Sequence, residues 1–546
     1  MAREKSRWLW PCIFLLSLLF FTTESYYGID NLSSEGLTLV PAVEILNGGV
    51  PFRDYASYSP PGMHYVAAGV FKVFGRNLFL ARFLTTALAK WLIVLALFGC
   101  ARLMRAPRAA AAAGVIFATV ILGTKTFAGA DYAGVHPTAL STALVLLSIY
   151  CFLQYIETGR RNWLAGASLI TVLNVPLRYD FAAYTFLAQL LIAGLAAHTG
   201  YRKRRLLPIV KEAAVCYLAC SLLVLLPLAA YLWIKVPRAE LALSLLEYPQ
   251  AYLKFVTANE ADSVWRRIIP NPFPTIGALF AGQVTPWGYI RHWLLYDNLR
   301  TFIFASYIWG WIWLAGRTRR EGAWDQLEFG TAALVLLGTC LWGYFIKSWN
   351  LFTFPVPAYL LAPLMIARFW QSNITAWRRT ARVMAVWALG LSAVALAVKP
   401  IVPRAYHRWS HIPAARGTIF EKREARNLED LVRYIQNIVP AGGKIFVCNM
   451  RHDGGHPDTD LLLYLFTDRR PGTHIHDLWP HISTREDIQQ RIIGELKRND
   501  VRCVIRSDSH PPFDGAYHGS RTLDDYLDRA YRKTVVFGAH TVLERI

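Results

Sequence analysis

Long apolar runs recur along this chain, separated by short polar loops, and no water-soluble core accommodates them. At roughly 20 apolar residues per crossing there are about eleven candidate membrane spans. They lie near 8–24, 79–101, 109–123, 137–156, 163–177, 181–198, 212–234, 301–316, 328–346, 354–369 and 383–398, with 109–123 and 163–177 the shortest. Of the 546 residues, 54% are hydrophobic, which excludes one ordinary soluble domain. The expected fold class is a polytopic α-helical membrane protein.

The charge pattern orients it. The net charge is +21, but the basic residues cluster in short loops: Arg102, Arg105 and Arg108; Arg202 to Arg205; Arg317, Arg319 and Arg320; Arg378, Arg379 and Arg382. The positive-inside rule accounts for them without any nucleic acid. Arg3, Lys5 and Arg7 put the N-terminus in the cytoplasm, and each basic loop then falls on that side in alternation. The run from Trp8 to Phe21 has no small-x-small cleavage site after it, so it reads as an uncleaved first span. An odd number of spans, in the cytoplasmic (inner) membrane of a cell envelope, places the C-terminal region outside the cytoplasm.

Loops on the opposite side carry unusual chemistry. The first runs from Ser25 to about Leu78. Ser33-Ser34 and Gly48-Gly49 bracket an expected helix there, kinked at Pro41, with Leu39, Val40, Val43 and Leu46 on one face. That pattern predicts a helix lying on the membrane surface. A second amphipathic stretch, Tyr65 to Gly75, follows Pro60-Pro61.

Asp30, Glu35, Asp54, Asp131, His136, Arg178, Asp180 and Lys347 all fall on this one side. Carboxylates and cations gathered at an interface suit sugar transfer from a polyprenyl phosphate. The lipid tail stays in the bilayer, a carboxylate takes the acceptor hydroxyl's proton, and Arg178 neutralises the departing phosphate. One base and one phosphate clamp imply single-step inversion. Simpler roles stand beside these: Asp54 capping a turn, Arg178 snorkelling at a helix end, Asp180 pairing with Arg178, His136 starting a helix. Lys90, inside a span, marks an ion path or pairs within the bundle.

Glu35-Gly36, Asn47-Gly48, Val50-Pro51-Phe52-Arg53-Asp54, Pro60-Pro61, Phe74-Gly75 and Arg82 together resemble the opening of GT-C fold glycosyltransferases. The similar groups are bacterial relatives of protein O-mannosyltransferase and of lipid A aminoarabinose transferase. Arg178-Tyr179-Asp180 resembles the basic motif those enzymes place near the donor phosphate. Leu462-Leu463-Tyr464 with Asp468-Arg469-Arg470-Pro471-Gly472 resembles their extracytoplasmic α/β domain. The resemblance implies a polyprenyl-phosphate-linked sugar donor, a glycan, lipid or protein acceptor, and a transmembrane catalytic module. One departure stands out. The family often has Asp-Glu at the head of the first loop, with the Asp as base; here the pair is Ser34-Glu35. Asp30, Glu35 and Asp54 are the catalytic candidates. Asp131, His136, Arg178, Asp180 and Lys347 are the substrate-binding ones.

The transmembrane module is expected over 1–398, with its juxtamembrane loop at 25–78, and an extracytoplasmic α/β domain over 399–546. There Ile445 to Val447, Val501 to Ile505 and Thr534 to Phe537 read as strands, Asn427 to Ile438 and Arg485 to Arg498 as helices. His452, Asp453, His456, Asp458, His474, His476, Asp477 and His481 form a metal-like run without zinc spacing. No cofactor is required, and a divalent metal is left open. Cys448 and Cys503 could pair if their region faces an oxidising compartment, a point the sequence leaves open. Two other classes stay in view. A transporter or lipid flippase needs polar residues at mid-bilayer on several spans. A non-catalytic receptor or assembly factor would use the C-terminal domain alone.

Overall fold

The computed structural model describes residues 9–26, 32–123, 134–251, 254, 298–320, 322–347, 355–398, 406–408, 412–453, 459–508 and 519–546. Helices run in the order α1 (Leu9–Ser25), α2 (Leu32–Leu46), α3 (Gly62–Phe74), α4 (Leu78–Leu103), α5 (Arg108–Leu122), α6 (Pro137–Thr158), α7 (Arg161–Asn174), α8 (Tyr179–His198) and α9 (Leu206–Lys235). After the short α10 (Arg238–Ala242) come α11 (Asn298–Thr318), α12 (Gln326–Lys347), α13 (Val356–Trp370) and α14 (Thr375–Val398). Each expected span coincides with one of these. Five helices among the described residues are long and apolar enough to cross a membrane by length and composition. The polar loop expected between Lys235 and Arg300 lies mostly outside the described residues.

Local sequence sets the helix ends. His136 caps α6 through its ring, Pro137 takes the first position, and Gly159 closes the helix in a left-handed conformation. In α4 the regular winding loosens into a π-turn at Phe83–Ala87, just after Arg82. Such a turn rotates the side chains on either side of it relative to one another.

The C-terminal region forms an α/β domain. A small sheet pairs β1 (Tyr406–Arg408) with β2 (Ile419–Glu421). The main sheet joins β3 (Lys444–Asn449), β4 (Arg470–Pro471), β5 (Cys503–Ser507), β6 (Tyr531–Phe537) and β7 (His540–Arg545) in the order β4-β3-β5-β7-β6. β3 runs parallel to β4 and β5, and β7 antiparallel to both its neighbours. α15 (Lys422–Ile438) and α16 (Leu462–Thr467) cover one face; α17 (Glu486–Arg498) and α18 (Thr522–Ala530) cover the other.

One expectation is corrected here, and one question left open by the sequence is answered. First, the apolar face of α2, expected to meet the membrane surface, packs against protein. Leu39 and Val40 share one core with Leu461 to Phe466 and with Met63 and Ala67 of α3, so α2 is covered on both sides. Gly36 meets Leu461 so closely that a methyl group there would overlap it. Second, Cys448 and Cys503 stay free. In the β3–β5 register Cys503 faces Ile445 and Cys448 faces Arg506. Alternation along the strands sends Cys503 to the α15 side and Cys448 to the α17 side, so no disulfide can span them.

Candidate functional site

Glu35 sits on the first turn of α2, 2% exposed, and binds Arg82 of α4 through two parallel hydrogen bonds. Arg82 Nε donates to Oε1 at 2.8 Å and Nη2 to Oε2 at 2.7 Å. Val135 N–H donates to the same Oε1 at 2.8 Å, and Thr86 donates its hydroxyl to the Gly134 carbonyl at 2.6 Å. Gly134 is required at its position, because a Cβ there would lie 2.6 Å from Glu35 Oε1. Glu35 thus fastens the loop before α6 to the first loop.

His136 follows immediately. Its Nδ1 accepts from Thr138 N–H at 3.3 Å and lies 2.8 Å from the Thr138 hydroxyl. Burial, with the Arg178 guanidinium nearby, lowers its pKa to about 3, so the ring is neutral at physiological pH. Arg178 is the N-cap residue of α8. It donates from Nε and Nη2 to both oxygens of Asp180, at 3.0 and 2.6 Å, and from Nη1 to Thr138 Oγ1 at 3.3 Å. The guanidinium also stacks over Phe181, 4.6 Å from its centroid. The Arg178 turn abuts the first loop: Gly62 N–H donates to Pro176 O at 2.8 Å, and a Cβ on Gly62 would lie 2.5 Å from that oxygen.

Glu35, His136, Arg178 and Asp180 therefore belong to one connected cluster, joined through residues 134–138. Asp54 belongs to another. Its carboxylate binds Arg53 at 2.7 and 3.1 Å and accepts from Val50 N–H at 2.7 Å, closing a tight turn. Burial pushes that carboxyl up, but Arg53 and the Val50 N–H outweigh it and hold it below the usual range. Asp54 faces the C-terminal domain, where His474 donates to Phe52 O at 3.1 Å and Arg491 binds Glu240 at 3.0 Å. Asp30 and Asp131 lie outside the described residues. So does the side chain of Lys347, whose backbone ends α12.

Sequence reasoning did not foresee Arg82 as the partner of Glu35, nor Thr138 as a contact of Arg178. The signal for Arg82 was present: a cation at the start of an apolar span needs a counter-charge. The same logic applied to Lys90, which pairs with Glu24 of α1, both nearly fully buried. That pair ties α1 to α4 inside the bundle.

A cavity of about 400 Å³ lies elsewhere, between α2 and the C-terminal domain, its charges taken up by Arg470–Glu44 and Arg76–Asp468. Among the described residues no three His, Cys, Asp or Glu side chains gather to hold a metal ion. In the metal-like run His452 binds Asp524 at 2.7 Å and His474 binds backbone and Arg491. His456 and Asp458 lie outside the described residues.

Residues 58–235 match the family model of dolichyl-phosphate-mannose-protein mannosyltransferases. The oligosaccharyltransferase of Archaeoglobus fulgidus, solved with zinc and sulfate, superposes with a TM-score of 0.54 at 13% identity, covering 91% of this chain and 68% of that one. ArnT of Cupriavidus metallidurans, bound to undecaprenyl phosphate, superposes with a TM-score of 0.48 at 13% identity over 98% of both chains. No curated protein sequence matches the chain. In architecture, and in the match over residues 58–235, the chain is a multi-pass membrane protein of the GT-C glycosyltransferase fold.

Proposed function

We propose that the chain is an inverting glycosyltransferase that moves a sugar from a polyprenyl phosphate to a hydroxyl acceptor, at the extracytoplasmic face of the cytoplasmic membrane. The observation that carries this is the fastening of the Arg178 turn and the Glu35 helix to the same loop, residues 134–138. The family match over residues 58–235 spans this loop and Arg178 and supports a lipid-phosphate donor.

In this mechanism Arg178 exchanges Asp180 for the donor phosphate, one anion for another, and binds it through two N–H groups. The acceptor oxygen attacks the anomeric carbon while a carboxylate takes its proton. The bond from that carbon to the phosphate oxygen breaks, and the lipid phosphate leaves with the extra charge, which Arg178 stabilises. Both oxygens of Glu35 are held by Arg82 and one also by Val135, so Glu35 acts as a positioning residue. The base is assigned to Asp30, just upstream on the same loop. Asp131 and Lys347 are assigned to sugar or acceptor contacts, and neutral His136 to ordering the loop beside Arg178. Asp54 is assigned to the docking of the C-terminal domain.

The test uses purified protein in lipid, supplied with a panel of radiolabelled polyprenyl-phosphate sugars. Consumption of one of them by the parent, and its loss in Arg178→Ala with folding retained, is the expected result. Near-parental turnover in Arg178→Ala would remove Arg178 from the mechanism. No consumption of any donor, with the lipid moved across the bilayer instead, would favour the flippase class.

A further inference from the structure

α4, α6 and α8 all start at the cluster around Arg178, so their far ends define the opposite face of the bundle. There a pocket of about 600 Å³ lies between the loops after α4 and α8 and the start of α12. Its lining includes Arg105, Arg202, Lys203, Trp324 and Asp325. Nothing in the transfer reaction uses it.

Three features mark it as built. The first is backbone strain. Arg105, Arg202 and Lys203 all have left-handed φ angles, 54°, 53° and 53°, a conformation that residues with a Cβ rarely adopt. Strain of this kind persists only where the surroundings enforce it, and it collects at ligand sites. The second is a rigid floor. Tyr201 stacks flat on Phe329, with ring centroids 4.2 Å apart and 3° between planes. Its hydroxyl donates to Glu157 at 2.7 Å, and Arg202 and Gln326 bind the same carboxylate. The third is unspent charge. Arg202 is matched by Glu157, Arg204 by the carbonyls of Tyr155 and Ile156, and Arg317 and Arg368 by Glu328. Arg105 and Lys203 have no acidic partner among the described residues. The acid on the rim, Asp325, accepts Glu328 N–H at 2.7 Å in a reciprocal cap of α12, and its charge acts on Arg317 and Arg368.

We propose that this pocket binds a phosphate group, held between Arg105 and Lys203 against the Tyr201–Trp324 wall. Its size suits a headgroup and not a macromolecule. At a bilayer surface the abundant source is an anionic phospholipid, and the alternative is a free phosphate compound. Positive-inside charge alone would not require left-handed backbone at each of the three pocket cations.

The test titrates phosphatidylglycerol, in phosphatidylcholine nanodiscs, onto the full chain, with lipid retention read by native mass spectrometry. Arg105→Gln/Lys203→Gln should weaken binding by about tenfold or more. Arg102→Gln/Arg108→Gln, equal in charge but outside the pocket, should bind as the parent does. Lys203→Gly removes one charge and relieves the left-handed strain. It should therefore bind less lipid while melting at the same or a higher temperature, which separates site loss from misfolding. Displacement by inorganic phosphate would identify the free anion as the ligand. Binding that follows phosphatidylglycerol content and resists phosphate would identify the lipid. Equal loss in both double variants, or no loss in the pocket double, overturns the proposal.

Discussion

The pair Glu35–Arg82 offers the sharpest test of how this site is built. Both side chains are 2% exposed, and the carboxylate accepts three hydrogen bonds, two from Arg82 and one from Val135. Glu35→Gln keeps the volume but turns one acceptor into a donor facing Arg82, and takes the charge of Glu35 away from the buried guanidinium. Removing one member of a buried pair costs about 3–5 kcal/mol. Arg82→Met should cost a similar amount by stranding the carboxylate. Glu35→Leu/Arg82→Met removes both charges and should regain most of the loss. It should fall short of the parent by about 1 kcal/mol for the orphaned Val135 N–H. The assay is equilibrium unfolding in mixed micelles, run beside sugar transfer on the same preparations. If Glu35 positions the loop, stability and turnover fall together in the singles and recover together in part in the double. Full parental stability in Glu35→Gln with turnover abolished would refute this and make Glu35 the base.

Gly62→Ala drives a methyl against the Pro176 carbonyl and should displace the Arg178 turn. Turnover should then fall at least tenfold with little loss of folded protein in membranes, and unchanged transfer would show that the turn has slack. Burial lowers the pKa of His452, but the bonded Asp524 carboxylate, with Cys448 nearby, more than reverses this, raising it to about 9 from an ordinary value near 6.5. The pair's stabilisation is therefore complete below about pH 6.5 and is lost as pH rises through about 9. The cost of Asp524→Asn should be roughly 2–3 kcal/mol near neutrality and should shrink toward pH 9; a cost independent of pH would contradict the assignment. Cys448 and Cys503 should run as free thiols on a non-reducing gel after mild oxidation, and a mobility shift abolished by Cys503→Ser would show that the sheet opens.

Much of this was legible in the sequence because apolar length and charge alternation are local signals. Every expected span coincides with a helix, and Arg178–Asp180, two residues apart, pair as proximity suggests. What covers a face is not a local property. The stripe of Leu39 and Val40 announces burial, but the same stripe serves lipid or protein, and here protein took it. Arg82 and Glu35 are distant in sequence, so only the fold could introduce them. β6 begins at Tyr531, earlier than expected, because its first half is solvent-facing and lacks an apolar rhythm. β4 is too short to leave any periodicity at all.

The tight seat of Gly36 under Leu461 has a consequence for how such a chain diversifies. Two positions from opposite ends of the polypeptide divide one fixed volume, so neither half can drift alone. A bulkier residue at one place has to be met by a smaller one at the other in the same lineage. Exchanging the C-terminal domain between relatives should therefore fail unless this helix travels with it.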